Sequence, residues 1–139
     1  MTSAPTGDLS DGDYERLATF RHALRVFIRF SEEAARAEGV TPAKHQLMLA
    51  VRGWPGPTDP TLSDVADFLQ LRLNSAGELA RRAEAAGLVR LVNDRDDHRK
   101  QHVVLTKAGA EKLRDLTVLH RDELKRFRSH LSDLLDVLA

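Results

Sequence analysis

The chain has 139 residues, of which 42% are hydrophobic and 30% are charged. This length suits one domain with its own core, and the composition is ordinary for a globular protein. There is no cysteine, which excludes disulfides and a thiol switch. No apolar run has the length of a membrane span and the N-terminus lacks a signal-peptide pattern, so we expect a soluble cytoplasmic protein.

The net charge is zero, but the charges are unevenly distributed along the chain. Positions 72–107 hold 8 Lys and Arg against 5 Asp and Glu, whereas positions 1–71 hold 7 against 10. A local basic excess is typical of a segment that contacts nucleic acid. Positions 72–107 are therefore the candidate nucleic-acid-binding segment.

The N-terminal part of the chain predicts a long helix that begins at Asp11 or Asp13 and ends at Ala37 or Glu38. Apolar residues at steps of three and four give it a buried face: Leu17, Phe20, Leu24, Phe27 and Ile28. A second face carries arginines at steps of four: Arg21, Arg25 and Arg29. This row is either a solvated face that pairs with acids or a contact surface for DNA backbone or an anionic ligand.

A second helix is predicted from Pro42, capped by Thr41, to Gly53. Its core-facing residues are Leu47, Met48 and Val51. Positions 54–60 follow, too rich in proline and glycine to be regular. The single tryptophan, Trp54, either fills the core under this loop or lines a ligand cavity.

Two short helices come next. The first starts near Leu62, with Ser63 as its cap, and has an apolar face of Val65, Phe68 and Leu69. After a connection over residues 70–73, the second starts near Asn74 or Ser75 and ends before Gly87, which suits the left-handed position after a helix. Its apolar side is Ala76, Leu79, Ala80 and Ala83. Two short helices joined in this way predict a helix-turn-helix.

A β-hairpin is predicted after the helix-turn-helix. Positions 88–92 and 101–105 are apolar and partly β-branched, and positions 93–99 form a polar turn region. Thr106 then caps the last helix. Helix, turn, helix and hairpin in this order describe a winged helix-turn-helix.

The C-terminal part, residues 107–139, is helical in composition. Apolar residues follow heptad-like steps: Leu124, Phe127, Leu131, Leu134 and Leu138. Ser129 is placed to interrupt the helix by capping a final short one. The stripe predicts either a dimer interface or a helix folded back on its own domain.

Catalytic and metal signatures are absent from the sequence. The six histidines lie in no zinc-protease motif, and there is no glycine-rich phosphate loop or serine nucleophile motif. His98 and His102 lie four apart, but this is not a metal pair across a predicted strand. We therefore expect no enzyme activity, no metal and no cofactor.

The stretch GLVRLVNDRDDHRKQHVVLTKAG resembles the wing of the MarR family of bacterial transcription regulators. The matching positions are Gly87, Leu88, Asp97, Arg99, Leu105, Thr106 and Gly109. The resemblance implies one mainly α domain over residues 1–139 with a small β-hairpin wing (α+β). It implies a DNA-binding lobe at 41–106 and dimerisation helices at 9–38 and 107–139. It also implies a homodimeric transcription regulator that binds a near-palindromic double-stranded operator, a repressor released by a small aromatic or anionic effector.

The DNA-binding residues expected from this resemblance lie at two places. The start of the second short helix supplies base readers, with Arg81 or Arg82 on phosphate: Arg72, Asn74, Ser75 and Glu78. For Arg82, an ion pair with Glu78 is an equal alternative. In the wing, Arg95 reaches the minor groove, while Asp97 pairs with Arg99 and shapes the hairpin, with Arg99 also near phosphate.

Three positions depart from the family pattern. Gln70 stands where a turn glycine is common, and Arg72 stands where a capping hydroxyl is common, which moves the expected cap to Asn74. Gly77 lies inside the second of the two short helices, so either the backbone is closely approached there or this helix starts late.

Many family members bind a ligand, for which we expect a pocket of Phe20, His45, Met48 and Trp54. The alternative function is a winged-helix module for protein binding, without DNA.

Overall fold

A computed structural model describes the backbone of residues 7–138 and the side chains of residues 7–132. The elements in chain order are α1 (Asp11–Ala37), α2 (Pro42–Arg52), α3 (Leu62–Phe68), α4 (Leu73–Ala85), β1 (Val89–Asn93), β2 (Gln101–Leu105) and α5 (Lys107–Leu138). Strands β1 and β2 form an antiparallel hairpin in which Val89 lies opposite Leu105 and Asn93 opposite Gln101. The predicted mainly α architecture with a small β-hairpin is confirmed. Over the described residues, no helix combines the length and apolarity that a membrane crossing requires.

The chain packs as two compact units, one formed by the chain up to Ser31 and from His120 onward, the other by Glu32–Leu119. An aromatic cluster holds the first unit together. The ring of Phe127 lies 5.8 Å from Phe20 and 5.4 Å from Phe27, and the His120 ring lies 5.4 Å from Phe30. Ile28 is 46% exposed, so its predicted place on the buried face is wrong in this chain. One residue turns a helix by about 100°, which carries Ile28 away from the face that Phe27 occupies.

The second unit has two adjoining apolar clusters. The larger joins α2, α3, α4 and the hairpin around fully buried Leu47, Val65 and Val103. The smaller packs Met48 against Leu88 and α5 residues: Leu113 and Leu116. On α4 the buried residues are small, namely Ala76, Gly77, Ala80 and Ala83. Small side chains let the helix lie close to the core, which fixes the direction of its opposite face.

The helix starts differ in how they are capped. Thr41 caps α2, as predicted, by accepting the Lys44 N–H at 3.3 Å. Thr61 caps α3: its hydroxyl accepts the Asp64 N–H at 3.1 Å, and the Asp64 carboxylate accepts the Thr61 N–H at 2.9 Å. The prediction of Ser63 as cap is wrong because this reciprocal box needs a hydroxyl three residues before the acid.

Helix α4 begins at Leu73, before the predicted start at Asn74 or Ser75, and Arg72 is its N-cap without a side-chain hydrogen bond. The predicted shift of the cap to Asn74 is therefore wrong, and Gly77 does not mark a late start. Gln70, in the turn before it, has a φ of 56°. Its side-chain amide donates to the Asp67 carbonyl at 2.7 Å, which helps a non-glycine residue hold this left-handed conformation.

The junction of α4, the hairpin and α5 explains three of the positions that resemble the family: Gly87, Thr106 and Gly109. The Thr106 hydroxyl donates to the Gly87 carbonyl at 2.6 Å and accepts the Gly109 N–H at 2.9 Å, which confirms it as the α5 cap. Gly87 has a φ of 78°, the predicted left-handed residue. A Cβ at Gly109 would overlap the Leu88 carbonyl, so only glycine fits there.

Strand β1 and helix α5 also differ from their predicted extents. Strand β1 begins one residue later than Leu88, because Leu88 belongs to the buried junction and its carbonyl accepts the Thr106 N–H at 3.1 Å. Helix α5 continues to Leu138 without interruption. The Ser129 hydroxyl donates to the Arg126 carbonyl at 2.9 Å within the same helix, so it caps nothing. The predicted apolar side chains of Leu134 and Leu138 lie outside the described side chains.

Candidate nucleic-acid interface

The face of α4 opposite its buried alanines is polar and exposed. The predicted base readers and phosphate contacts, on α4 and at its N-cap, are all exposed: Arg72, Asn74, Ser75, Glu78, Arg81 and Arg82. Glu78 Oε2 lies 3.9 Å from Arg82 Nη2, and both side chains are more than half exposed. An exposed pair at this distance contributes little to stability, so Arg82 can exchange Glu78 for another anion at small cost.

Gly77 is buried in α4 and faces Arg81. A Cβ at this position would lie 3.3 Å from Arg81 Nη1, so its absence lets the guanidinium lie against the helix backbone. Helix α4 begins four residues before Gly77, so the late-start alternative is wrong, and the close approach of a backbone at Gly77 stays a prediction. The cost of glycine in a helix interior, about 1 kcal/mol relative to alanine, is accepted at this point.

A cleft of about 500 Å³ runs between the start of α3, the first turns of α4 and the end of the wing turn where β2 begins. Three cationic side chains line it, from α4 and from the residues that lead into β2: Arg81, Arg99 and Lys100. Neutral polar groups also line it, including Asn74 and Ser63, and the only acid in the lining is Asp64. Since the Asp64 carboxylate caps α3, the cleft presents an excess of positive charge to an anion.

The wing is the hairpin β1–β2 together with residues 94–100. At its tip the Asp97 carboxylate accepts the Arg99 N–H at 3.0 Å and Arg99 Nε at 3.1 Å. The predicted pairing of these two residues is present. The hydrogen bonds from Arg99 lower the pKa of Asp97. The Arg99 side chain remains 91% exposed. The pairing with Asp97 therefore holds Arg99 at Nε and leaves most of its guanidinium open to solvent.

Arg95 is exposed at the turn of the wing and has no ion pair among the described residues. It follows Asp94, whose carboxylate accepts the N–H groups of Asp96 and Asp97 at 3.1 and 3.0 Å. Such a turn, held by an aspartate side chain, fixes the backbone on which Arg95 stands. The three acids of this run are thus separated in role, because Asp94 and Asp97 are bonded internally and only Asp96 projects without a side-chain partner in the described structure.

His102 was not predicted as part of the site. Its Nε2 lies 2.7 Å from Asp94 Oδ1, and its Nδ1 lies 2.7 Å from the Asp59 carbonyl oxygen. The side-chain contact with Asp94 raises the pKa of His102, and the same contact lowers the pKa of Asp94 to about 2. The signal in the sequence is weak: Val92 lies opposite His102, so Asp94 is its diagonal neighbour across the hairpin.

The four residues expected to line a ligand pocket lie in different surroundings. Met48 is fully buried in the smaller apolar cluster, and His45 is also buried. Trp54 packs on Phe68 at 5.7 Å, while Phe20 belongs to the aromatic cluster of the first unit. The pocket therefore stays a prediction. Among the described residues, no group of three side chains is arranged to hold a metal ion.

No sequence model of a protein family matches the chain, and no curated protein matches it significantly. Solved structures are similar to it. AbsC, a MarR family transcriptional regulator from Streptomyces coelicolor, is 24% identical with a TM-score of 0.74, over 95% of this chain and 90% of AbsC. MarR from E. coli in its apo form is 17% identical with a TM-score of 0.68, over 88% of this chain and 86% of MarR.

A third similar structure is a mutant of MepR from S. aureus bound to an oligodeoxyribonucleotide. It is 17% identical with a TM-score of 0.67, over 95% of this chain and all of MepR. At these identities the likenesses establish the fold. The chain has the winged-helix fold of MarR-family transcription regulators.

Proposed function

We propose that the chain is a MarR-type transcription regulator that binds double-stranded DNA in a sequence-dependent way and catalyses no reaction. The exposed face of α4 enters the major groove, with Arg72, Asn74, Ser75 and Glu78 towards the bases. Arg81 and Arg82 contact phosphate. Arg95 reaches the minor groove, and Arg99 approaches the DNA phosphate backbone beside that groove. An operator on the chromosome would place the protein in the cytoplasm of a bacterium.

The observation that carries this proposal is the cationic cleft beside α4. Arg81, Arg99 and Lys100 come from two separate parts of the chain and line one concave surface. Cations on a concave surface next to an exposed polar helix suit a polyanion that has a groove for the helix and a backbone for the cleft. The similarity to a MepR structure that holds an oligodeoxyribonucleotide supports the same function.

We propose a homodimer as the DNA-binding form. The unit that contains the N-terminal part of α1 and the C-terminal part of α5 leaves large apolar side chains at 40–60% exposure: Tyr14, Val26, Ile28, Leu124 and Leu131. Apolar exposure of this extent along two helices favours a protein interface. A two-fold dimer then requires a near-palindromic operator with half-sites one helical turn apart, about 34 Å. Sedimentation that shows a monomer at micromolar concentration contradicts this part of the proposal.

The regulator acts as a repressor that a small aromatic or anionic effector releases from DNA. This part rests on the resemblance alone, and the described residues assign no common site to the effector. Aromatic acids such as salicylate are the probes. An effector that binds the free protein more tightly than the DNA-bound protein must weaken DNA binding. The factor by which the effector lowers DNA affinity equals the factor by which DNA lowers effector affinity. A probe that raises the melting temperature without changing DNA affinity separates binding from regulation.

Fluorescence anisotropy with duplexes from the DNA that flanks the gene, at two salt concentrations, tests the proposed function. A specific duplex binds more tightly than a scrambled one, and both affinities fall as salt rises. The variant Arg81→Ala/Lys100→Ala weakens both duplexes, because these cations line the cleft. The matched control Arg114→Ala removes an exposed arginine of α5 and leaves affinity unchanged. Equal and salt-independent affinities for all duplexes contradict DNA binding.

One observation favours the second candidate function, a module that binds a protein partner. Phe68, Leu71 and Leu73, at the turn between α3 and α4, are 49, 38 and 53% exposed. On the DNA proposal, Leu71 and Leu73 lie against thymine methyl groups or sugar edges, which are apolar surfaces of the duplex. The variant Leu71→Ser/Leu73→Ser separates the two functions, since it changes sequence preference in the first case and abolishes partner binding without DNA in the second.

A further inference from the structure

His102 joins the wing to the loop that precedes α3. The end of this loop runs beside β2. There the Val103 N–H donates to the Pro60 carbonyl at 2.8 Å, and the backbones of Thr61 and His102 pair as an isolated antiparallel β-bridge. The His102 ring extends this link: it contacts the Asp59 carbonyl on one side and the Asp94 carboxylate on the other, both at 2.7 Å. We call the Asp59–His102–Asp94 contacts the histidine bridge.

Both contacts of the histidine bridge require a proton on His102. A carbonyl oxygen only accepts hydrogen bonds, and an ionised carboxylate also only accepts. Each ring nitrogen must therefore donate, which only the imidazolium form does. In the neutral ring one nitrogen carries a lone pair, and that lone pair then faces an oxygen at 2.7 Å. Loss of the proton replaces a hydrogen bond with a repulsive contact.

The surroundings of the ring favour the proton. The His102 and Asp94 side chains are only 20 and 26% exposed, so solvent screens their contact partially. The charged groups that face the histidine bridge are the Asp59 carboxylate from the loop and the Asp94 carboxylate from the end of β1. Beyond Asp94 lie Asp97 and then Lys100, which acts on Asp97. The hydrogen bond to Asp94 is the main cause of the raised pKa of His102.

The hydrogen bonds of the Asp94 carboxylate hold the backbone of the wing tip in place. One carboxylate oxygen of Asp94 accepts from His102, and the other accepts the N–H groups of Asp96 and Asp97. The Asp94 N–H also donates to the Lys100 carbonyl at 2.9 Å, which closes the tip. Arg95 stands on this backbone. A contact that positions Asp94 therefore positions Arg95 as well.

We propose that the histidine bridge is a pH-sensitive switch of the wing: protonated His102 fixes the wing to the loop before α3, and neutral His102 releases it. The inference deepens the proposed function and rests on it, because the released wing binds DNA less well. A raised pKa means that this stabilisation is fully present below His102's ordinary value of 6.5 and is lost as pH rises through the raised value. Alkaline conditions therefore weaken operator binding.

The test uses the full chain and two independent measurements. NMR follows the His102 ring and the protection factors of the Asp96 and Asp97 amides between about pH 6 and about pH 8.5. Anisotropy follows operator affinity over the same range. Three variants are compared with the parent. His102→Gln removes the titrating ring, Asp94→Asn keeps the size of Asp94 but not its charge, and His98→Gln removes an exposed wing histidine outside the histidine bridge.

In the parent we expect the two amides to lose protection as the His102 ring titrates, and affinity to fall roughly fivefold, as for one net hydrogen bond. His102→Gln abolishes this fall, Asp94→Asn moves it to lower pH, and His98→Gln preserves it. A fall that persists in His102→Gln, or a His102 titration without change in amide protection, overturns the proposal. If no duplex binds at any pH, the proposed function fails, and the amide measurement alone decides whether the histidine bridge orders the wing.

Discussion

The Asp97 carboxylate holds Arg99 by both its backbone and its side chain: Oδ1 accepts the Arg99 N–H at 3.0 Å and Nε at 3.1 Å. One acid thus sets the conformation of the wing tip and the root of an exposed cation at the same time. A negative charge next to DNA is unfavourable by itself, so the two effects of Asp97 on binding have opposite sign.

We expect Asp97→Ala to weaken DNA binding at low salt, because the loss of wing order outweighs the removal of a negative charge. Asp96→Ala is the matched control, since it removes the same charge from an exposed neighbour whose side chain holds nothing in the described structure. That variant binds as tightly as the parent or more tightly. Anisotropy at one low salt concentration compares the three proteins. If Asp97→Ala gains affinity as Asp96→Ala does, Asp97 has no role in shaping the wing.

Arg95→Ala should lower affinity for every duplex and reduce the slope of log affinity against log salt by about one. Arg95 is exposed and has no ion pair in the described part of the chain, so its removal leaves the free energy of unfolding nearly unchanged. Salt titrations of the parent and the variant measure the slope, and urea unfolding measures stability. Arg114→Ala serves as control, because it removes an exposed arginine from α5. An unchanged slope removes Arg95 from the interface.

The base readers and the phosphate contacts on α4 should respond differently to truncation. Asn74→Ala or Arg72→Ala relaxes the preference at one base position by about 1–3 kcal/mol. Arg82→Ala weakens all sequences alike, because a phosphate contact carries no direct sequence information. In the free protein Arg82 is only loosely paired with Glu78, at 3.9 Å. Affinities for a panel of single-base operator variants give both results. A base preference that neither Asn74→Ala nor Arg72→Ala changes shows that other residues read the bases.

Gly109→Ala should destabilise the fold by about 1–3 kcal/mol, as overpacking does in a tight core. The added Cβ would overlap the Leu88 carbonyl, which also accepts the Thr106 N–H. The control is Gly12→Ala in the first turn of α1, where an added Cβ would lie at an ordinary 3.6 Å from the Ser10 hydroxyl oxygen. Urea unfolding of both variants gives the comparison. Equal stabilities contradict the close approach seen at the junction.

Sequence predicts those parts of this fold that depend on local chemistry. Helical periodicity indicated α1 and α2 to within one residue or two, and the Thr106 cap and the left-handed Gly87 follow from residue type alone. The Asp97–Arg99 pair was predictable because its members are two residues apart. The start of α4 was not, because it begins at a cap that makes no side-chain hydrogen bond. Packing of the buried alanines, rather than a capping side chain, therefore determines where α4 begins.

Contacts between distant positions were beyond sequence. The histidine bridge joins Asp59 to His102 across 43 positions, and only the packing of the loop beside β2 brings them together. The cleft has the same origin, since Arg81 and Lys100 share no motif and meet because α4 packs against the hairpin. For the same reason the prediction that Ile28 is buried was wrong. A run of apolar residues at helical spacing does not show how much of that helix face is covered by the rest of the same chain.

Selection of bound duplexes from a random DNA library tests most directly whether the chain reads DNA through α4 and the wing as a two-fold dimer. The parent protein should enrich a near-palindrome whose half-site centres lie about 10 base pairs apart. Asn74→Ala should enrich a motif that has lost its preference at one position in each half-site. Failure of the folded parent protein to enrich any sequence, or enrichment of a single asymmetric site, would contradict the account.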